Sequence, residues 1–177
     1  MPKNRVLLKI YPCLSASPFC LHMPLSPLDL KAIACLMARA RITWAELASV
    51  LGLSAPATAD RVRKLEEQGV IQGYHAYINP QTLGYHLTAF IAVTLSHPQH
   101  RATFLQKVAA LSEIQECHHI TGEDDYWLKV RCRNTQDLEH LISDELKSLE
   151  GVQKTRTTIV LSTLKESPLL PMPALAE

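Results

Sequence analysis

Residues 43–71 read TWAELASVLGLSAPATADRVRKLEEQGVI, and the N-terminal half of the fold follows from them. Thr43-Trp44-Ala45-Glu46 is a capping box, in which each polar side chain can satisfy a free backbone N–H at a helix start. Trp44, Leu47, Ala48 and Leu51 then recur at helical spacing until Gly52 stops the helix. Ser54 caps a further helix almost at once, with Pro56 tolerated in its first turn. Thr58, Val62 and Leu65 mark the inner face of that helix, and Gly69 closes it. Upstream, Ser26-Pro27 with Asp29 in the first turn opens another helix, whose predicted inner face is Leu30, Ile33, Ala34 and Met37. Three short helices, the last two joined by a tight glycine-containing turn, make a tri-helical helix-turn-helix.

Downstream the period changes. Val70 to Ile78 looks extended and is expected to be a connecting strand and hinge, ended by Asn79-Pro80. Leu87, Ala89, Ile91, Val93 and Leu95 alternate as a strand, Phe104, Val108 and Leu111 mark a helix, and Ile114 to Thr121 reads as a second strand. Tyr126, Leu128, Val130 and Cys132 alternate against Trp127, Lys129 and Arg131, giving a third. Leu138, Leu141, Ile142 and Leu149 form a helical face, and Val152 to Leu164 is a last strand. The expected class is therefore α+β: a (winged) helix-turn-helix over 23–72, a hinge over 73–84 and a ferredoxin-like βαββαβ domain over 85–164. Residues 1–22 read as a flexible extension or a misassigned start, and the proline-rich stretch 165–177 as a disordered tail. Each half is too small to bury a large core, so association through the sheet half would add stability.

The whole chain has 177 residues, 47% hydrophobic and 20% charged, ordinary values for a globular protein. Net charge is +1, with six basic and five acidic residues over 23–80 and eight basic and ten acidic over 81–164, so any basic surface is local. No run of about 18 apolar residues occurs, so no membrane span is expected. Five cysteines without a CxxC pair suggest reduced thiols in a cytoplasmic protein. His97 and His100, or Cys117, His118 and His119, do not supply three or four convergent ligands, so no metal is expected. A phosphate-binding glycine loop and a nucleophile elbow are both lacking, and Asp124 and Asp125 are adjacent rather than opposed across a substrate.

At about 100° per residue, burying Thr58, Val62 and Leu65 turns Pro56, Asp60, Arg63 and Glu67 outward, flanked by Ala57, Ala59 and Lys64. Such a helix enters the major groove of DNA by its N-terminal part. Arg63 and Lys64 could reach phosphates or guanine edges, Ser54 with the helix start could hold a phosphate, and Arg61 lies near the buried edge. The candidate DNA-binding residues are thus Ser54, Pro56, Ala57, Asp60, Arg61, Arg63 and Lys64. The same mixed charges also suit a plain solvated helix, and Asp60 would repel phosphate unless it accepts from a cytosine amino group.

Leu53-Ser54 through Arg61-Val62-Arg63-Lys64-Leu65-Glu66-Glu67-Gln68-Gly69-Val70-Ile71 resembles the recognition helix and exit of the leucine-responsive/asparagine-operon regulators, the Lrp/AsnC family. Gly73-Tyr74, Asn79-Pro80 and Leu83-Gly84-Tyr85 are similar to that family's hinge, and Thr121 to Leu128 to the TGxxDYLL segment of its effector domain. The resemblance runs from about Leu25 to Leu164. It implies a transcription regulator, not an enzyme, that binds double-stranded DNA and an amino acid or related metabolite. It further implies homodimers joined through their sheets, which often build octamers, with the effector between dimers near Thr121 to Tyr126. Departures are Ala57, Ala59 and Asp60, where relatives are often polar or basic, Trp127 for leucine, and a turn made acidic by Glu123, Asp124 and Asp125.

The effector-binding candidates are Thr121, Gly122, Asp124, Asp125 and Tyr126. Gly122 allows close backbone approach or a positive φ, and Asp125 could accept from an α-ammonium group, although Gly and Asp also suit a plain hairpin turn. An alternative of another class is similar in architecture: the sirohaem decarboxylases, enzymes with a tetrapyrrole site, toward which His118 and His119 point. No cofactor is expected on the regulator reading.

Overall fold

Hydroxyl side chains begin each of the first three helices, and their positions set the N-terminal unit. The computed structural model describes residues 25–172; the expected extension 1–22 and the end of the tail lie outside them. Helix α1 (Pro27–Ala38) starts at a capping box between Ser26 and Asp29, and α2 (Trp44–Leu51) at one between Thr43 and Glu46. Gly52, left-handed at φ 68°, turns the chain from α2 toward Ser54, whose hydroxyl accepts from the Ala57 N–H at the start of α3 (Ala55–Glu67).

Ala32, Leu36, Leu47, Leu51 and Val62 form the core of this unit, with Leu28, Cys35, Ile42, Leu53 and Ile71 packed against it. The buried face of α1 is therefore Leu28, Ala32, Cys35 and Leu36 instead of the predicted Leu30, Ile33, Ala34 and Met37, which are half-buried. Both rows have helical spacing, and a helix apolar nearly all round gives its period no phase. Trp44, expected inside, is 48% exposed at the open end of α2.

The predicted connecting strand is corrected. Val70 and Ile71 donate to the Leu65 carbonyl and close the helix, but residues 72–79 have no ladder partner among the described residues. A strand exists only where a second one accepts its hydrogen bonds. The chain divides into two compact units between Tyr77 and Ile78.

In the C-terminal unit β1 (Leu87–Leu95), α4 (Arg101–Ala110), β2 (Ile114–His119), β3 (Tyr126–Cys132), α5 (Thr135–His140) and β4 (Val152–Ile159) follow in the expected ferredoxin-like order. The sheet is antiparallel with strand order β2-β3-β1-β4. Ala89, Ile91, Val93, Tyr126, Leu128, Val130 and Cys132 face the core, which Phe104, Val108, Leu138, Leu141 and Leu146 complete from the helices. The last strand stops at Ile159, short of the predicted Leu164, because β1 offers no partner beyond Thr88, whose carbonyl accepts from Val160; Leu161 and Leu164 are exposed.

Helix α5 runs into a π-helical segment, Leu141–Leu146. At 100° per residue an unbroken α-helix from Leu138 would aim Glu145 at the core. The π turn moves the charge aside, buries Leu146 fully and leaves Glu145 to pair with Lys107 of α4. Leu149, predicted on the helical face, lies past the helix and packs against the core from the following turn.

Candidate functional site

Two surfaces carry the predicted site residues, one in each unit. On α3, Thr58, Val62 and Leu65 are buried, and Pro56, Ala57, Asp60, Arg63 and Lys64 are exposed as the helical period requires. Ser54 is exposed at the helix start.

The charges on this face are paired with one another. Arg63 donates from Nη2 to Asp60 at 2.9 Å and from Nη1 to Glu67 at 3.2 Å. The hydrogen bond Arg63 donates to Asp60 foremost, with the charge of Glu67, holds the guanidinium above its usual range. Arg61 points the other way: its Nη1 donates to Asp29 at 2.5 Å and to the Ser26 hydroxyl at 3.1 Å. Partial burial opposes ionisation of Asp29, but the Ser26 hydrogen bonds and Arg61 outweigh it and hold the carboxyl below its ordinary value. Arg61 thus fixes α3 against α1 in addition to standing at the edge of the exposed face. At the far end, the Tyr74 hydroxyl donates to Glu66 at 2.9 Å; burial and that carboxylate push the phenol up to about 12.

The second surface is the turn between β2 and β3 and the sheet face that the helices leave uncovered. In register, Ala92 of β1 lies between Trp127 on β3 and Arg156 on β4, with His118 beyond Trp127 on β2. Trp127 stacks on Phe90, ring centroids 5.5 Å apart at 23°. Trp127 and Arg156, together with His119, Ile120, Thr121, Glu123 and Asp124, line an open concavity of about 680 Å³. Gly122 takes φ 127°, a conformation L side chains rarely adopt.

Asp124 is buried, accepting from Arg156 Nη2 at 2.6 Å and from the Thr94 hydroxyl at 3.2 Å. Asp125 accepts from the Leu95 N–H at 2.7 Å, and its own N–H donates to the Val93 carbonyl, so this residue ties the turn to β1. Among the described residues, the backbone N–H groups of Thr121, Gly122 and Glu123 have no hydrogen-bond partner. Tyr126 is 3% exposed and packs against Phe104 at 4.8 Å between ring centroids. Of the five predicted residues, the structure brings Thr121 and Asp124 to the concavity, puts Gly122 in its rim turn, and turns Asp125 and Tyr126 inward. Arg156 and Ile120 are not singled out by the sequence, His119 is singled out only for the tetrapyrrole alternative, and Glu123 and Trp127 only as departures from the family pattern.

His119 lines the concavity and rests against Tyr126, whereas His118 stands outside it beside Glu116 at 3.2 Å. The two imidazoles therefore share no cavity. Among the described residues, no three His, Cys, Asp or Glu side chains gather as a metal site, and no helix is long and apolar enough to cross a membrane. Cys35, Cys117 and Cys132 are free thiols.

Residues 25–72 match the model of winged helix-turn-helix DNA-binding domains, and residues 88–170 that of the Lrp/AsnC ligand binding domain. The leucine-responsive regulatory protein of Escherichia coli K12 is 41% identical over 129 residues, covering 72% of this chain and 79% of that protein. Among solved structures, a Neisseria meningitidis transcriptional regulator in complex with L-Met superposes with a TM-score of 0.81 at 30% identity, covering 86% of this chain and 100% of the other. A feast or famine regulatory protein of M. tuberculosis complexed with L-methionine gives 0.78 at 36% identity, covering 85% and 100%.

Proposed function

The chain belongs to the Lrp/AsnC family, and from that premise we infer that it is a DNA-binding transcription regulator whose operator affinity or assembly responds to an amino acid or related metabolite. Two features of one chain carry the reading: a capped helix with an exposed polar face in one unit, and in the other a turn whose free amides stand beside a carboxylate and an indole. The N-terminal helices bind double-stranded DNA, with Ser54, Pro56, Ala57, Asp60, Arg63 and Lys64 of the α3 face toward the groove. A homodimer presents two such helices to half-sites about one helical turn, or a multiple of it, apart.

The effector is a zwitterion held at the 121–124 turn. Its carboxylate takes the free N–H groups of Thr121, Gly122 and Glu123, and its ammonium faces Glu123. Its side chain lies on Trp127, which favours an apolar or thioether group, and a second copy of the chain covers the open side. The protein acts by linkage, not turnover: an effector that prefers one assembly shifts DNA affinity by its preference, and DNA shifts effector affinity equally. Its setting is the cytoplasm.

The test is electrophoretic mobility of the DNA fragment upstream of the protein's own gene (the upstream fragment) with the full chain, across salt, with a panel of amino acids that begins with methionine and leucine. A salt-dependent shift altered by one amino acid is the expected result. Absence of a shift on every fragment at every salt concentration would remove the reading.

A further inference from the structure

Residues 25–77 carry six bases, Lys31, Arg39, Arg41, Arg61, Arg63 and Lys64, and five acids, Asp29, Glu46, Asp60, Glu66 and Glu67. Their pairing leaves the recognition helix with little attraction for DNA. Arg61 is committed to Asp29, and Arg63 to Asp60 and Glu67. From Asp60 to Glu67, leaving Arg61 aside, the helix presents two positive side chains, Arg63 and Lys64, against three negative ones, Asp60, Glu66 and Glu67. Sequence-independent DNA affinity comes from cations that neutralise phosphates and release counterions. A net-negative face supplies little of it, so cations outside this helix must carry most of that share.

Arg39 and Arg41 are placed for this. Both are exposed in the turn between α1 and α2, and among the described residues neither guanidinium has a hydrogen bond or close ion pair, Glu46 acting on Arg39 through its charge alone. With His75 and Tyr74 they line an open concavity of about 560 Å³. Its one carboxylate, Glu46, is engaged by the Thr43 N–H at 2.9 Å and hydroxyl at 2.7 Å, which hold its pKa down. The His75 ring folds over Gly73, where a Cβ would come within 3.0 Å of Nε2. In a helix-turn-helix the first helix crosses the DNA backbone while the second enters the groove. The turn leading into α2 therefore arrives at phosphates.

We propose that Arg39, Arg41 and His75 form a phosphate-backbone anchor that supplies the electrostatic share of DNA affinity missing from the recognition helix. This rests on the regulator reading above. The experiment is a salt titration of DNA binding by the full chain, on the upstream fragment and on a random duplex of equal length. Arg39→Gln, Arg41→Gln and their double variant keep the side-chain stems, and Lys31→Gln removes an exposed base outside the concavity.

Each arginine variant should lower the slope of log affinity against log salt by about 0.9 on both duplexes, leaving the operator-to-random ratio unchanged. Unchanged slopes would overturn the anchor, as would an equal change in Lys31→Gln or a loss confined to the operator. Inorganic phosphate at fixed ionic strength should compete with DNA for wild-type protein more than for the double variant. Binding of phosphate to the concavity without any loss of DNA would reassign it to a free anion and overturn the anchor. Wild-type protein that binds neither duplex defeats the regulator reading itself, which is distinct from wild-type binding with unaltered variant slopes.

Discussion

Arg156 of the last strand reaches Asp124, 32 residues earlier, and fixes the β2–β3 turn to the sheet through a 2.6 Å hydrogen bond. The carboxylate is 5% exposed and the guanidinium 57%, so the two partners are not equivalent. Arg156→Gln leaves a buried carboxylate with Thr94 alone, whereas Asp124→Asn leaves a solvated cation. The first should cost about 1–2 kcal/mol, below the cost of breaking a fully buried pair, and the second less. Urea denaturation of both variants measures the difference. Effector response should fall in Arg156→Gln while DNA binding without effector persists.

Acid should loosen the N-terminal unit. Asp29 has a folded pKa below its ordinary 3.8, so the stability it contributes is complete above that value and is lost as pH falls through the folded one. Melting temperature followed from pH 6 to about pH 3 should drop in the wild type. Asp29→Asn should flatten this drop and lower stability near pH 6 by about 1 kcal/mol, through loss of cap and ion pair.

Asp60→Asn removes one of the two carboxylates that hold Arg63. Binding to random duplex should tighten and become more salt-dependent by up to about one unit of slope, while discrimination for the operator declines. Mobility shifts on both duplexes check this, and a weaker affinity for random DNA would contradict the role assigned to the pair.

Trp127→Ala removes the indole from the concavity, and effector affinity should fall about tenfold or more, with Trp127→Phe retaining most of it. The chain has two tryptophans. In Trp44→Phe the emission therefore comes from Trp127, and its change on titration with the effector gives the affinity directly.

Caps and glycines made the helix-turn-helix legible: Ser26, Thr43 and Ser54 start the helices where the sequence places them, and Gly52 makes the turn. Strand alternation likewise located β1 and β3. What stayed hidden depends on neighbours remote in sequence. The phase of α1 was decided by α2 and α3, not by its own apolar residues. Arg156 joins the concavity beside the β2–β3 turn through strand register alone, and no local pattern links it to Asp124. Asp125 reads as a ligand-facing acid in sequence, yet the end of β1 takes its carboxylate.

The π turn at Leu141–Leu146 also bears on how this family can vary in length. It holds one residue more than the α-helical path needs between Leu141 and Leu146, both buried. Removing Glu145 would bring these leucines to four apart, still on one face. The helix could thus shed a residue, along with its bridge to Lys107, without disturbing the strands at either end. An evolving or engineered lineage has here a point of elasticity, where an indel is absorbed by helical pitch instead of by a loop.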